Sequence, residues 1–369
     1  MTDKELFEKL SYKQKNVYEN LDDKQVKEML DLTEEYRKYL DEGKTERECV
    51  KISEKMAKDN GFKPLSDFDS LKAGDKVYVI NRKKNIMLAV IGEKDITEGT
   101  NIIGAHIDSP RLDLKQNPLY ESNDMALLKT HYYGGIKKYQ WTAIPLALHG
   151  VVFTRDGEET EITIGEKDTD PVFCITDLLP HLAMDQMSKK MTEGIEGEAL
   201  NILVGGMGVK SEDVSEKVKY KILSILNTMY GIREEDFLSA ELEVVPAFKA
   251  RNVGLDESFI GAYGQDDRVC AFTSLKGIFD IENPERTAIC LLVDKEEIGS
   301  TGNTGMLSRF FEMTLAELIS KCKGSCDLIA LNKTITNSAD ASLAPDLPLE
   351  PVYFIKIIPW PAYAALFFS

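Results

Sequence analysis

His106 and Asp108 stand two residues apart in Asn101-Ile-Ile-Gly-Ala-His-Ile-Asp-Ser-Pro110, where an apolar run breaks off. An imidazole with a carboxylate beside it has the form of a metal ligand and the group that fixes its tautomer and ring orientation. Three later segments carry carboxylates in comparable settings. Gly264-Gln-Asp-Asp-Arg268 offers Asp266 and Asp267, Asp294-Lys-Glu-Glu-Ile-Gly299 offers Glu296 and Glu297, and Ser338-Ala-Asp-Ala-Ser342 offers Asp340. Each has a plainer reading alone: a helix cap for the aspartate pair, a solvated pair for the glutamates, a loop for Asp340. Taken together, an oxygen-rich set with few histidines suits a divalent ion such as zinc, cobalt or manganese. A bridging aspartate can hold two such ions about 3.5–4 Å apart. Consecutive glutamates point in different directions, so Glu297 can bind metal while Glu296 takes a proton from the reacting water.

These groups need elements that bring them to one edge. Asn101–His106 reads as a buried strand, and ligands in open α/β sheets bind at strand C-terminal edges. Ala288-Ile-Cys-Leu-Leu-Val293 is a continuous apolar run, as in strands buried on both faces. Asp327–Leu331 is expected to be another strand, and the stretch from Val269 a helix. The first sixty-odd residues read as helices, with a capping box at Thr45-Glu-Arg-Glu48. Lys76–Ile80 and Ile86–Ile91 form an expected hairpin.

Residues 119–243 have another character. Tyr132-Tyr-Gly-Gly135 reads as a turn, Ile144–Thr154 and Glu159–Gly165 as β, and Leu178–Met191 and Val214–Met229 as helices. They are expected to form an inserted module between catalytic-domain parts at 1–118 and 244–369. The whole is an α/β fold: a mixed sheet flanked by helices, with a smaller β-rich insertion.

Composition narrows the function classes. With 369 residues and a net charge of −17, the chain can bury a large core and would repel nucleic acid and anionic membrane surfaces. The N-terminus lacks the apolar core of a signal peptide. Six scattered cysteines are expected to be reduced thiols of a cytoplasmic protein.

Gly104-Ala-His-Ile-Asp-Ser-Pro-Arg-Leu-Asp113, His131-Tyr-Tyr-Gly-Gly-Ile-Lys-Lys-Tyr139, Gly264–Arg268 and Asp294-Lys-Glu-Glu-Ile-Gly-Ser300 resemble, in order, the M18 family of metalloaminopeptidases in its bacterial branch. The resemblance implies a phosphorylase/hydrolase-like catalytic domain interrupted by a dimerisation domain. It also implies two metal ions, usually zinc, peptide substrates, and homo-oligomers built from dimers up to a dodecamer. Carried over by position, His106 and Glu297 resemble terminal metal ligands, Asp266 the bridging carboxylate, Glu296 the base, Asp108 the orienter of His106, and Asp340 a further ligand. Only the resemblance selects Asp266 over Asp267.

The resemblance ends near Pro345. Family members carry a final metal-binding histidine in a Ser-Met-His-like segment, whereas the histidines here are 106, 131, 149 and 181. One ion site is therefore expected to be impaired, and Pro345–Ser369 reads as a frameshifted or prematurely ended coding sequence. The competing expectations are an inactive member serving as an assembly subunit and a peptide-binding protein without turnover. His131 and His149 are read as ordinary strand or turn residues, with a reach into a neighbouring subunit's site as the alternative, and His181 as structural.

Overall fold

The computed structural model describes residues 2–12, 16–342 and 365–368, with strands 339–342 and 365–368 given by their backbone. Three helices lead: α1 (Asp3–Leu10), α2 (Asp23–Glu42) and α3 (Glu46–Asp59). The expected capping box opens α3. Glu48 N–H donates to Thr45 Oγ1 at 3.3 Å while Thr45 N–H donates to the Glu48 carboxylate at 3.1 Å.

The strands β1 (Lys63–Pro64), β2 (Lys76–Asn81), β3 (Asn85–Val90) and β4 (Asn101–His106) follow. The second half of the chain adds β13 (Ala288–Val293) and β14 (Ala339–Ser342) to the same sheet, in the order β1-β2-β3-β13-β4-β14. β2 and β3 are the expected hairpin, while β13 and β14 both run parallel to β4.

Alternation builds two cores from single strands. Ile86, Leu88 and Val90 of β3 and Cys290 and Leu292 of β13 face the helices α2, α3 and α6 (Gln265–Phe279). Met87, Ala89, Ile289 and Leu291 face the opposite side, against α7 (Phe310–Lys323). Both faces are covered, which is why these strands read as unbroken apolar runs.

The second sheet is antiparallel throughout. It contains β5 (Arg111–Ser122), β6 (Met125–Tyr133), β7 (Leu146–Phe153), β8 (Glu159–Ile164), β9 (Ile202–Gly205) and β10 (Glu241–Pro246), ordered β8-β7-β10-β5-β6-β9. Its core is separate and includes Trp141, Leu146, Ile202 and Val244. Its strands run from Arg111 to Pro246, so β5 crosses the expected boundary at residue 119. Helices α4 (Met184–Met187) and α5 (Lys217–Tyr230) belong to this module. A small third sheet holds β11 (Arg251–Val253), β12 (Phe259–Tyr263) and β15 (Ala365–Phe368).

Two expected elements differ. Asp327–Leu331 is not a strand: Asp327 caps helix α8 (Leu328–Asn337), accepting from Ala330 N–H at 2.7 Å. A short apolar run fits either element, and the capping aspartate decides it. The strand comes later, as β14, which takes in Ala339 and Asp340 of the Ser-Ala-Asp segment while Ser338 caps the end of α8. Leu178–Met191 yields only a 3-10 turn, Pro180–Leu182, and the one-turn α4. Neither piece buries a residue of its own, and neither has a side-chain cap, so nothing extends the helix. Apart from 365–368, the tail Pro345–Ser369 lies outside the described residues.

Candidate metal centre

His106, the last residue of β4, is registered opposite Val293, the last residue of β13. The His106–Asp108 segment and the Asp294–Gly299 turn therefore leave the sheet side by side at its C-terminal edge. Helix α6 supplies the third wall. Gly264, with φ of 73°, turns the chain from β12 into α6 in a left-handed conformation that glycine adopts without a Cβ penalty. Asp266 and Asp267 fall in the first turn of α6, where the helix dipole favours carboxylates.

Asp108 is the hub. It is fully buried and lies beside His106, whose Nδ1 is 3.1 Å from the Asp108 backbone carbonyl and 3.5 Å from its carboxylate. The same carboxylate accepts the backbone N–H of Glu296 at 3.1 Å on Oδ1 and of Glu297 at 3.2 Å on Oδ2. One side chain thus ties the imidazole to the turn that carries both glutamates.

Of the adjacent aspartates, Asp267 is the one brought to His106, with its Oδ1 3.9 Å from Nδ1. Its Oδ2 accepts the Ser109 hydroxyl at 2.6 Å, and Ser109 is also held by Arg268. Oδ1 is buried without a hydrogen-bond partner. Asp266, to which the resemblance gives the bridging role, stands one residue earlier in the same first turn of α6, so Asp267 adds a second carboxylate beside it. Successive helical residues differ in direction by about 100°. Asp267 shares a stripe with Ala271, Leu275 and Ile278, whereas Asp266 is half-buried with Val269 and Thr273 and turns its Oδ1 into the fold.

The electrostatics show crowded carboxylates. Burial lifts the Glu297 carboxyl and the Asp267 charge lifts it further, to about 8. Burial would lower His106, but the Asp108 hydrogen bond and the charges of Asp267, Asp108 and Glu296 outweigh it and raise the ring to about 9. Both groups thus hold protons that a cation would displace. Among the described residues no group of three or more His, Cys, Asp or Glu is already closed tightly enough to hold a metal ion. The donor set nonetheless fits one: an imidazole, two carboxylates crowding each other, and one of their oxygens buried without a partner.

The remaining expected residues lie elsewhere. Asp340 sits on β14 opposite Ile102, four positions before His106 along β4, and its side chain lies outside the described ones. His149 is buried in the second sheet, bridging Glu48 at 2.8 Å and Glu166 at 3.0 Å. His131 is exposed and stacks on Tyr132, and His181 is exposed in the 3-10 turn. Ser109, Tyr133 and Gly134 also shape the centre, although sequence reasoning singled out none of them. Tyr133 donates its phenolic O–H to Asp108 Oδ2 at 2.7 Å. The only signal for Tyr133 and Gly134 was their place in the Tyr-Tyr-Gly-Gly motif.

A histidine and acidic side chains gathered at the C-terminal edge of a mixed sheet define a class of candidate metal site, and comparison with known proteins specifies it. The family model described as aminopeptidase I zinc metalloprotease (M18) matches residues 39–352. A probable M18 family aminopeptidase 1 of Clostridium acetobutylicum is 49% identical over 343 residues, covering 92% of this chain and 74% of the relative. The solved M18 aminopeptidase of Thermotoga maritima superposes with a TM-score of 0.85 at 45% identity, covering 90% of this chain and 72% of that one. Aminopeptidase I of Clostridium acetobutylicum gives 0.81 at 44%, covering 90% and 73%. The chain belongs to the M18 family and is a metal-dependent aminopeptidase. Neither the inactive assembly subunit nor the non-catalytic peptide binder is favoured. Among the described residues no helix is long and apolar enough to cross a membrane.

Proposed function

We propose that His106, Asp266 and Glu297 hold the catalytic metal, with Asp266 shared between two zinc ions, and that Glu296 is the general base for releasing N-terminal residues from peptides. Cobalt or manganese would serve the same donor set. Asp340 joins the ligands on the resemblance alone. The observation that carries the reading is Asp108, which holds the His106 ring and accepts both glutamate amides with one carboxylate.

When bound, the metal supplies Lewis acidity toward the scissile carbonyl and acidifies water. The chain's own residues do the rest. Asp108 keeps His106 oriented and fixes the Glu296–Glu297 turn against it. The Glu296 carboxylate takes the proton of the attacking water and passes it to the leaving amine, so one group serves as base and then as acid. The Ser109 hydroxyl and the Arg268 guanidinium hold Asp267 from behind.

The module at 111–246 is assigned to self-association, as a dimer from which a dodecamer can be built. Support comes from its unsatisfied surface: Leu178, Leu179, Leu182, Met184, Met187 and Met191 are each more than half exposed. Apolar surface of that extent marks an interaction site.

Hydrolysis of aminoacyl p-nitroanilides tests the chemistry. Activity should vanish on chelation and return on adding zinc, and Glu296→Gln should lower kcat by roughly 10²–10⁴-fold while the fold is retained. Undiminished turnover in Glu296→Gln would remove Glu296 from its role.

A further inference from the structure

Tyr133 ends β6, a strand of the second sheet, yet its side chain is buried against the metal centre. Its ring lies beneath the Arg111 guanidinium, 4.0 Å from ring centroid to Cζ, and the Lys295 ammonium approaches to 5.6 Å. Arg111 cannot swing away, because Glu46, Asp113 and Glu243 hold it at 3.2, 2.8 and 3.2 Å. These partners come from α3, β5 and β10, so the clamp is anchored in both halves of the molecule. With the ring fixed, the phenolic O–H has one direction, toward Asp108 Oδ2.

The next residue completes the device. Gly134 has φ of 69°, and a Cβ there would fall 2.7 Å from Glu297 Oε2. The phenol reaches Asp108 while the glycine leaves room for the neighbouring glutamate. A tyrosine buried only for packing would need some partner for its hydroxyl. It would not need the one carboxylate that already joins His106 to two backbone amides.

We infer that Tyr133, delivered by the second sheet and clamped by Arg111, is a positioning residue that fixes the Asp108 carboxylate so that His106 and the Glu296–Glu297 turn stay aligned. This rests on the reading of the centre given above. It makes the second sheet part of the catalytic apparatus, because a shift of β6 would be felt at Asp108.

Tyr133→Phe removes the hydroxyl and leaves the ring under Arg111. The full-length protein loaded with cobalt(II) is compared with wild type by visible absorption, by cobalt(II) titration and by steady-state kinetics. The expected result is an altered ligand-field spectrum, with cobalt affinity or kcat lowered about 10–100-fold, as when a ligand-orienting group is lost, and little change in KM. A Tyr133→Phe protein with wild-type spectrum, affinity and kcat, whatever its thermal stability, overturns the inference. A double-mutant cycle gives an independent reading that a packing role would not move. In an Asp108→Asn background Tyr133→Phe should have little further effect, whereas fully additive losses contradict action through Asp108. Failure of the underlying centre looks different: wild-type protein that takes up no cobalt, or Glu296→Gln with full turnover.

Discussion

Asp266 and Asp267 differ by one peptide unit and by about 100° around α6, so one of them is better placed to bridge cations, and the resemblance assigns that role to Asp266. Asp266→Asn should weaken zinc binding and lower kcat/KM at least tenfold, on the scale of lost metal-site groups. Asp267→Asn should cost less. Metal titration and kinetics on the two variants check this, and the reverse ranking would select Asp267. His106, Asp108, Glu296 and Glu297 were readable as candidates because each ends an apolar strand or follows one within a few residues. Tyr133 was not, because the link between its hydroxyl and Asp108 joins two different sheets and has no periodicity.

At the scale of elements, the β4–β13 pair was readable from two uninterrupted apolar runs. In the second sheet, β7 and β8 were readable within the segments Ile144–Thr154 and Glu159–Gly165. What failed were short segments whose character depends on caps and neighbours, such as α8 and the Leu178–Met191 stretch. The seam between α3 and the second sheet was also unreadable, since it is built from charges distant in sequence. There His149 is buried between Glu48 and Glu166, and Glu166 is also held by Lys44 at 2.8 Å and Lys249 at 3.1 Å. Burial would lower the His149 pKa, but its hydrogen bonds to Glu166 and Glu48 and their charges raise it from 6.5 to about 9. A group raised on folding stabilises fully below its unfolded pKa, and that contribution is lost as pH rises through the folded one. The window therefore runs from pH 6.5 to about 9, and the contribution is about 3 kcal/mol. Chemical denaturation across that range should show wild-type stability falling more steeply than that of His149→Gln. Parallel pH profiles would exclude His149 as the cause.

For the whole molecule, the mixed sheet carries a core on each face, and the second module exposes apolar side chains in its Leu178–Met191 segment. Leu182, Met184 and Met187 are 65, 75 and 71% exposed in the single chain. Replacing Met184 and Met187 with Asp should leave that chain folded but prevent association through this face. Light scattering during size exclusion should show an oligomer for wild type and a smaller species for the double variant. Equal masses would move the interface elsewhere.

Anomalous diffraction at the zinc edge, on crystals of the full chain grown with zinc, addresses the convergence of His106, Asp266 and Glu297 on a common cation. The expected result is an anomalous peak within about 2.0–2.2 Å of His106 nitrogen and carboxylate oxygens of Asp266 and Glu297. Zinc bound away from these three side chains, in a protein that still hydrolyses aminoacyl substrates, would contradict the proposed centre.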